Sequence, residues 1–105
     1  MSEVMVMEDS IPIISDWRAV HRNTLVGTFT VTLPTGMQIL GCLVHDNGQR
    51  RWIMLPGAPT IENGELRRGD NGKVVYKTII RFGSLDAYRN FETSILEELE
   101  KLGHI

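Results

Sequence analysis

The sequence predicts an α+β fold: an antiparallel β-meander of four to five strands with one C-terminal amphipathic helix packed on one face. Three observations carry this. Leu25, Gly27, Phe29, Val31 and Leu33 alternate with Val26, Thr28, Thr30 and Thr32, a period of two rich in β-branched residues. Turn signals then separate short runs: Leu33-Pro34-Thr35-Gly36, Asp46-Asn47-Gly48, Asn63-Gly64 and Asn71-Gly72. Finally, Tyr88, Phe91, Ile95, Leu99 and Leu102 recur at three- and four-residue spacing, one helical stripe that Leu85 and Leu96 widen.

In chain order, residues 1–10 are acidic, Met-rich and aperiodic and read as a flexible tail; residues 11–105 read as one sheet-plus-helix domain. Ile11 to Ile14 suit a short edge strand, because Pro12 cannot donate to a ladder on both sides. Asp16 to His21 either extends that strand or forms an irregular lead-in. After the Thr24–Leu33 strand, Met37 to His45 is apolar on both faces, as expected of a central strand covered on both sides. Gln49 to Leu55 forms the next strand, ended by Pro56-Gly57-Ala58-Pro59. Residues 57–72 make the longest connection, with the charged stretch Glu65 to Asp70 at an exposed, mobile hairpin end. Lys73 to Phe82 is the last predicted strand. Val74, Tyr76, Thr78, Ile80 and Phe82 fall on one face, and Lys73, Val75, Lys77, Ile79 and Arg81 on the other. Gly83 breaks it, Ser84 is placed to cap the helix, Asp86 favours its N-terminus, and Gly103 stands where a C-terminal glycine belongs.

At 105 residues with 42% hydrophobic content, one domain with a real core is expected. A single cysteine excludes a disulfide framework; Cys42, inside an apolar strand, reads as a small buried hydrophobe. No Cys/His spacing suits zinc, and no apolar run is long enough to span a membrane. The first residues, with Glu3, Glu8 and Asp9, lack the basic start and apolar core of a signal peptide, so a cytoplasmic protein is expected. The central acids Asp46, Glu62, Glu65 and Asp70 all fall in turns or the long connection. With no paired carboxylates, phosphate-cradling glycine loop or nucleophile elbow, neither an enzyme nor a cofactor is expected.

The net charge of −2 is a cancellation. Residues 1–16 carry −4 and residues 83–105 carry −3, whereas residues 17–82 carry +5. A helix covers one sheet face, so the other must be solvated or bound to something. If Ile80 and Phe82 meet the helix, Lys73, Lys77 and Arg81 line the open face, and Arg50, Arg51 and Trp52 come from a neighbouring strand. These six residues form the candidate nucleic-acid-binding set. Cations follow phosphates while flat rings stack on bases, which is what a single strand of DNA or RNA needs. The competing expectation is a protein-interaction module that pairs through an exposed strand edge or a Trp17/Trp52 surface.

The residues Arg22-Asn23-Thr24-Leu25-Val26-Gly27, Leu33-Pro34-Thr35-Gly36, Cys42-Leu43-Val44-His45, Gly48, Arg51-Trp52 and Leu55-Pro56 resemble a set of short bacterial proteins of prophages and mobile elements. The order of elements over residues 17–102 is also similar to the family of the septation regulator stage V sporulation protein G. There, a strand ending in His precedes a Gly turn and a strand ending in Pro, as Val44-His45, Gly48 and Leu55-Pro56 do here. The resemblance implies a homodimeric DNA- or RNA-binding regulator with little sequence preference, and a host protein is a further partner of the interaction-module reading. A looser likeness extends to the positive-cofactor-four coactivators, which hold single-stranded DNA on a curved sheet. The sporulation family's recognition residues lie near its helix C-terminus, where this chain has Glu97, Glu98 and Glu100, so no binding residue is carried over.

Overall fold

A computed structural model describes residues 11–105; the tail expected over residues 1–10 lies outside the described residues. The alternating segments pair as the pattern requires. β1 (Ile13–Arg22), β2 (Leu25–Thr32), β3 (Gln38–Asp46) and β4 (Arg51–Met54) form one antiparallel sheet in the order β1-β2-β3-β4. Phe29 lies opposite Cys42, Val31 opposite Ile39 and Val44 opposite Ile53, so one sheet face is continuously apolar. The central strand β3 departs from the expectation of cover on both sides. Leu40 and Gly41 together stand opposite the single residue Thr30, and Gly41 supplies the positive φ (76°) of this bulge. The bulge leaves Leu40 63% exposed.

Helix α1 (Leu85–Lys101) covers the apolar face. Ser84 Oγ accepts the Ala87 N–H at 3.1 Å, Asp86 lies in the first turn, and Gly103 follows the helix at φ 79°. Ile95 and Leu99 are fully buried in one core with Phe29, Val31, Ile39, Cys42, Val44 and Ile53. Phe91 and Leu96 pack at its margin, while Leu85 and Leu102 at the two ends of the stripe remain exposed. The Trp17 ring lies over Gly27, where a Cβ would stand 2.4 Å from the ring, and it stacks on His104 just beyond α1 at 4.6 Å. A glycine is needed at position 27 for this close approach.

The last predicted strand is where the fold departs most from expectation. Of Lys73–Phe82, only β8 (Tyr76–Thr78) is strand, and it pairs with β5 (Gly57–Pro59) outside the main sheet. Lys73, Lys77 and Arg81 therefore stand on no strand of that sheet. Phe82 does meet the helix, 5.0 Å from Phe91 and 6.2 Å from Tyr88 between ring centroids, but Ile80 is exposed. The physical reason lies at the β4 edge, where helix side chains occupy the backbone of Ile53. The Ile53 N–H donates to Glu92 Oε2 (3.1 Å), and the Tyr88 hydroxyl lies 2.8 Å from the Ile53 carbonyl and 2.6 Å from Glu92 Oε2. An incoming strand would have to displace both side chains.

The diverted residues build an arm. β6 (Ile61–Glu62) and β7 (Glu65–Leu66) form a hairpin, and Arg68 bridges to Val74 in a second one. Asn63 and Gly64 both have positive φ (52° and 79°), as a two-residue type I′ turn demands. The two hairpins and the β5–β8 stem meet in a closed ring of three backbone hydrogen bonds. Thr60 N–H donates to Val75, Val75 N–H to Arg67, and Arg67 N–H to Thr60, at 2.8, 2.9 and 2.9 Å. The described chain measures 55 × 29 × 24 Å.

Removing the Tyr88 hydroxyl in Tyr88→Phe leaves the Ile53 carbonyl unpaired and is expected to cost about 1–3 kcal/mol of folding stability by urea denaturation. Gly27→Ala forces Trp17 off its seat, with an expected loss of about 1–3 kcal/mol and a shifted tryptophan emission.

Candidate nucleic-acid interface on the helix-free sheet face

Directly opposed residues share a face, so the register defines what the sheet presents away from α1. Two rows cross it. Arg18 opposes Thr28, which opposes Leu43, which opposes Met54. Arg22 opposes Leu25, then His45, then Trp52. Neither row contains a carboxylate. Trp52 and His45 stack with ring centroids 5.2 Å apart and planes 6° from parallel, and the Arg50 guanidinium lies 5.4 Å from the Trp52 ring centre. This face thus carries three arginines, Arg18, Arg22 and Arg50, beside a pair of parallel rings.

Arg51, though adjacent, points the other way. It opposes Asp46 on the helix side, with Nε 3.2 Å from Asp46 Oδ2 and Nη1 3.0 Å from Glu100 Oε2. The Gly48 N–H and then Arg51 hold the Asp46 carboxyl below its ordinary range, and both acids push the guanidinium up. Arg51 ties the β3–β4 turn to the helix C-terminus and leaves the candidate set as a cation already matched by two carboxylates. Arg50 and Trp52 stay together.

Lys77 and Arg81 meet beside this face, where Leu43 and Met54 of its first row run into a groove. They line an open groove of about 1000 Å³ between the arm stem, the β4 end and the helix start, with Met54, Leu55, Tyr76, Ile80, Phe82 and Leu85 among its apolar walls. No Asp or Glu lines it. Lys73 is farther out, in the second hairpin, where its N–H bonds Asn71 Oδ1 at 3.0 Å and its carbonyl accepts the Gly69 N–H at 2.9 Å. Trp17 is on the helix side and Trp52 on the free side, so the two tryptophans form no joint surface.

His45 holds a special position in the arginine face. Its Nδ1 is 2.9 Å from Thr24 Oγ1, while Nε2 is buried with no partner. Burial lowers its pKa from the ordinary histidine value, so the ring is neutral at neutral pH and stacks without charge repulsion from the arginines. Burial pushes the Cys42 thiol up to about 11, and its Sγ sits 3.6 Å from the Ile39 carbonyl oxygen, which suits an inert core residue. Among the described residues no three His, Cys, Asp or Glu side chains cluster as metal ligands, and no helix is long and apolar enough to cross a membrane.

Sequence reasoning missed Arg18 and Arg22. Both sit in β1, which is irregular: Asp16 and His21 take positive φ (56° and 52°), and the register shifts between Ser15 and Arg18 and again between Ala19 and Arg22. The only available signal was the pair of arginines four residues apart in a segment read as an optional extension. No family model, curated protein or solved structure matches the chain.

Because His45 is harder to protonate folded than unfolded, the unfolded chain takes up the extra proton as acidity rises. The contribution to stability is whole above about pH 6.5, the ordinary histidine value, and is lost as pH falls toward the folded value. Urea denaturation at pH 7.5 and 5.5 should show this loss in the wild type and a smaller one in His45→Gln.

Proposed function

We propose that the protein is a small regulatory protein that binds single-stranded DNA or RNA on the helix-free face of its sheet and acts as a homodimer in the cytoplasm. The observation that supports this most is the pair of carboxylate-free rows with Arg18 and Arg22, beside Arg50 and the stacked Trp52 and His45 rings. Guanidinium groups follow a phosphate backbone without reading sequence, and an aromatic platform accepts any base. The acidic helix on the opposite side, with Glu97, Glu98 and Glu100, disfavours wrapping and confines a polyanion to one face. The expected set is thereby revised: Arg50 and Trp52 are kept, Arg18, Arg22 and His45 are added, and Arg51 is set aside.

Short single-stranded oligonucleotides should bind at low salt and quench tryptophan emission. Three phosphate contacts give a slope of about −2 in log affinity against log salt. Arg18→Glu/Arg22→Glu should weaken binding roughly tenfold or more, whereas Arg51→Gln should leave it unchanged. Absence of low-salt binding, or equal binding by the double variant, would sink the reading.

A further inference from the structure

The groove beneath the arm has an apolar lining, two cations and no acid, and four of its apolar residues are exposed. Tyr76, Leu85, Met54 and Ile80 are 66%, 60%, 47% and 40% exposed. Strand addition at the neighbouring β4 edge is blocked at Ile53 by Tyr88 and Glu92. A strand added at Ile53 is therefore not the occupant, and binding must come from side chains seated in the groove.

The chain carries a knob with the matching chemistry. At the tip of the β6–β7 hairpin, Ile61 stands directly opposite Leu66, and the two are 58% and 45% exposed. Glu62 stands directly opposite Glu65, a like-charge cross-strand pair that destabilises an isolated hairpin. Arg67 relieves Glu62 at 3.6 Å, but Glu65 has no ion-pair partner among the described residues. Residues 61–66 thus present two aliphatic side chains and one unmatched carboxylate, Glu65, against a groove with aliphatic walls and the cations Lys77 and Arg81. The hairpin cannot reach its own groove. Gly57 and Tyr76–Thr78, the arm's stem, form one wall of that groove, and the hydrogen-bonded ring at Thr60, Arg67 and Val75 fixes the hairpin on its far side.

We infer that the β6–β7 hairpin of one copy docks in the arm groove of a second copy, with Ile61 and Leu66 against the apolar walls and Glu65 near Lys77 and Arg81. Each copy has one knob and one groove; a two-fold axis that exchanges them closes the assembly as a dimer, which sedimentation distinguishes from an open head-to-tail chain. The assignment names the interface of the homodimer in the proposed function and rests on that part of it alone; oligonucleotide binding plays no role in its test.

Sedimentation equilibrium of the full chain, with circular dichroism to verify folding, reads the dimer dissociation constant. Ile61→Glu/Leu66→Glu changes only exposed positions and should raise it at least about tenfold, as loss of a central apolar anchor does. Glu65→Lys and Arg81→Glu should each raise it, and combining both in one chain should restore it. A double charge-swap that stays as weak as the single variants overturns the pairing of these surfaces. A dimer unmoved by the Ile61/Leu66 variant overturns the docking and leaves the homodimer standing. A wild type that stays monomeric at every concentration overturns both.

Discussion

The backbone of Ile53 lies on the outer edge of β4, and its two polar groups are taken by one turn of the helix. Glu92 accepts the N–H, and Tyr88 faces the carbonyl while sharing its proton with Glu92. Burial, then the Glu92 carboxylate, pushes the Tyr88 hydroxyl up to about 12, so it remains a donor at any ordinary pH. The contact does two things at once. It anchors the N-terminal half of α1 at the sheet edge, while Ile95 and Leu99 bury its C-terminal half in the core. It also closes the sheet at four strands, because an edge whose groups are satisfied offers no ladder to a fifth.

The arm is a consequence of that closure. Residues 73–78 still need partners for their backbone groups, and with β4 shut they find them in the chain that has just left the sheet. β5 takes β8, and the segment between them folds on itself as two hairpins around a ring of three hydrogen bonds. The space left between this stem, β4 and the helix start is the apolar groove with Lys77 and Arg81. The closed edge therefore also decides which cations go where. Lys77 and Arg81 move to the groove, and the free sheet face draws its positive charge from β1 and the β3–β4 turn.

Charge follows the same division. Arg51 is spent on Asp46 and Glu100 and pins the turn to the acidic helix, while Arg50, one residue earlier, lies over Trp52 on the opposite face. One residue of register separates a structural cation from a candidate binding one. The +5 of residues 17–82 includes cations on two adjoining surfaces, an arginine-and-ring face and a lysine-and-arginine groove that meet at Leu43 and Met54.

Much of the fold was legible in local pattern. The alternation of β2, the Asn-Gly turns, the Ser84 cap and the Tyr88–Leu102 stripe each state a local preference that the fold honours, because each depends on neighbours within a few residues. The α+β meander with one helix on one face follows from those preferences alone. The candidate site was legible only in part: Arg50 and Trp52 share a surface, but Arg18 and Arg22 were hidden by the bulges of β1, and Arg51 could not be told from Arg50. Composition and periodicity determined the strands β2 to β4 and the helix with its apolar stripe, but not the short strands of the arm. Tertiary structure decided which strand pairs with which, since pairing depends on whether an edge is open, and here Tyr88 and Glu92, some 35 residues beyond Ile53 in the chain, close it.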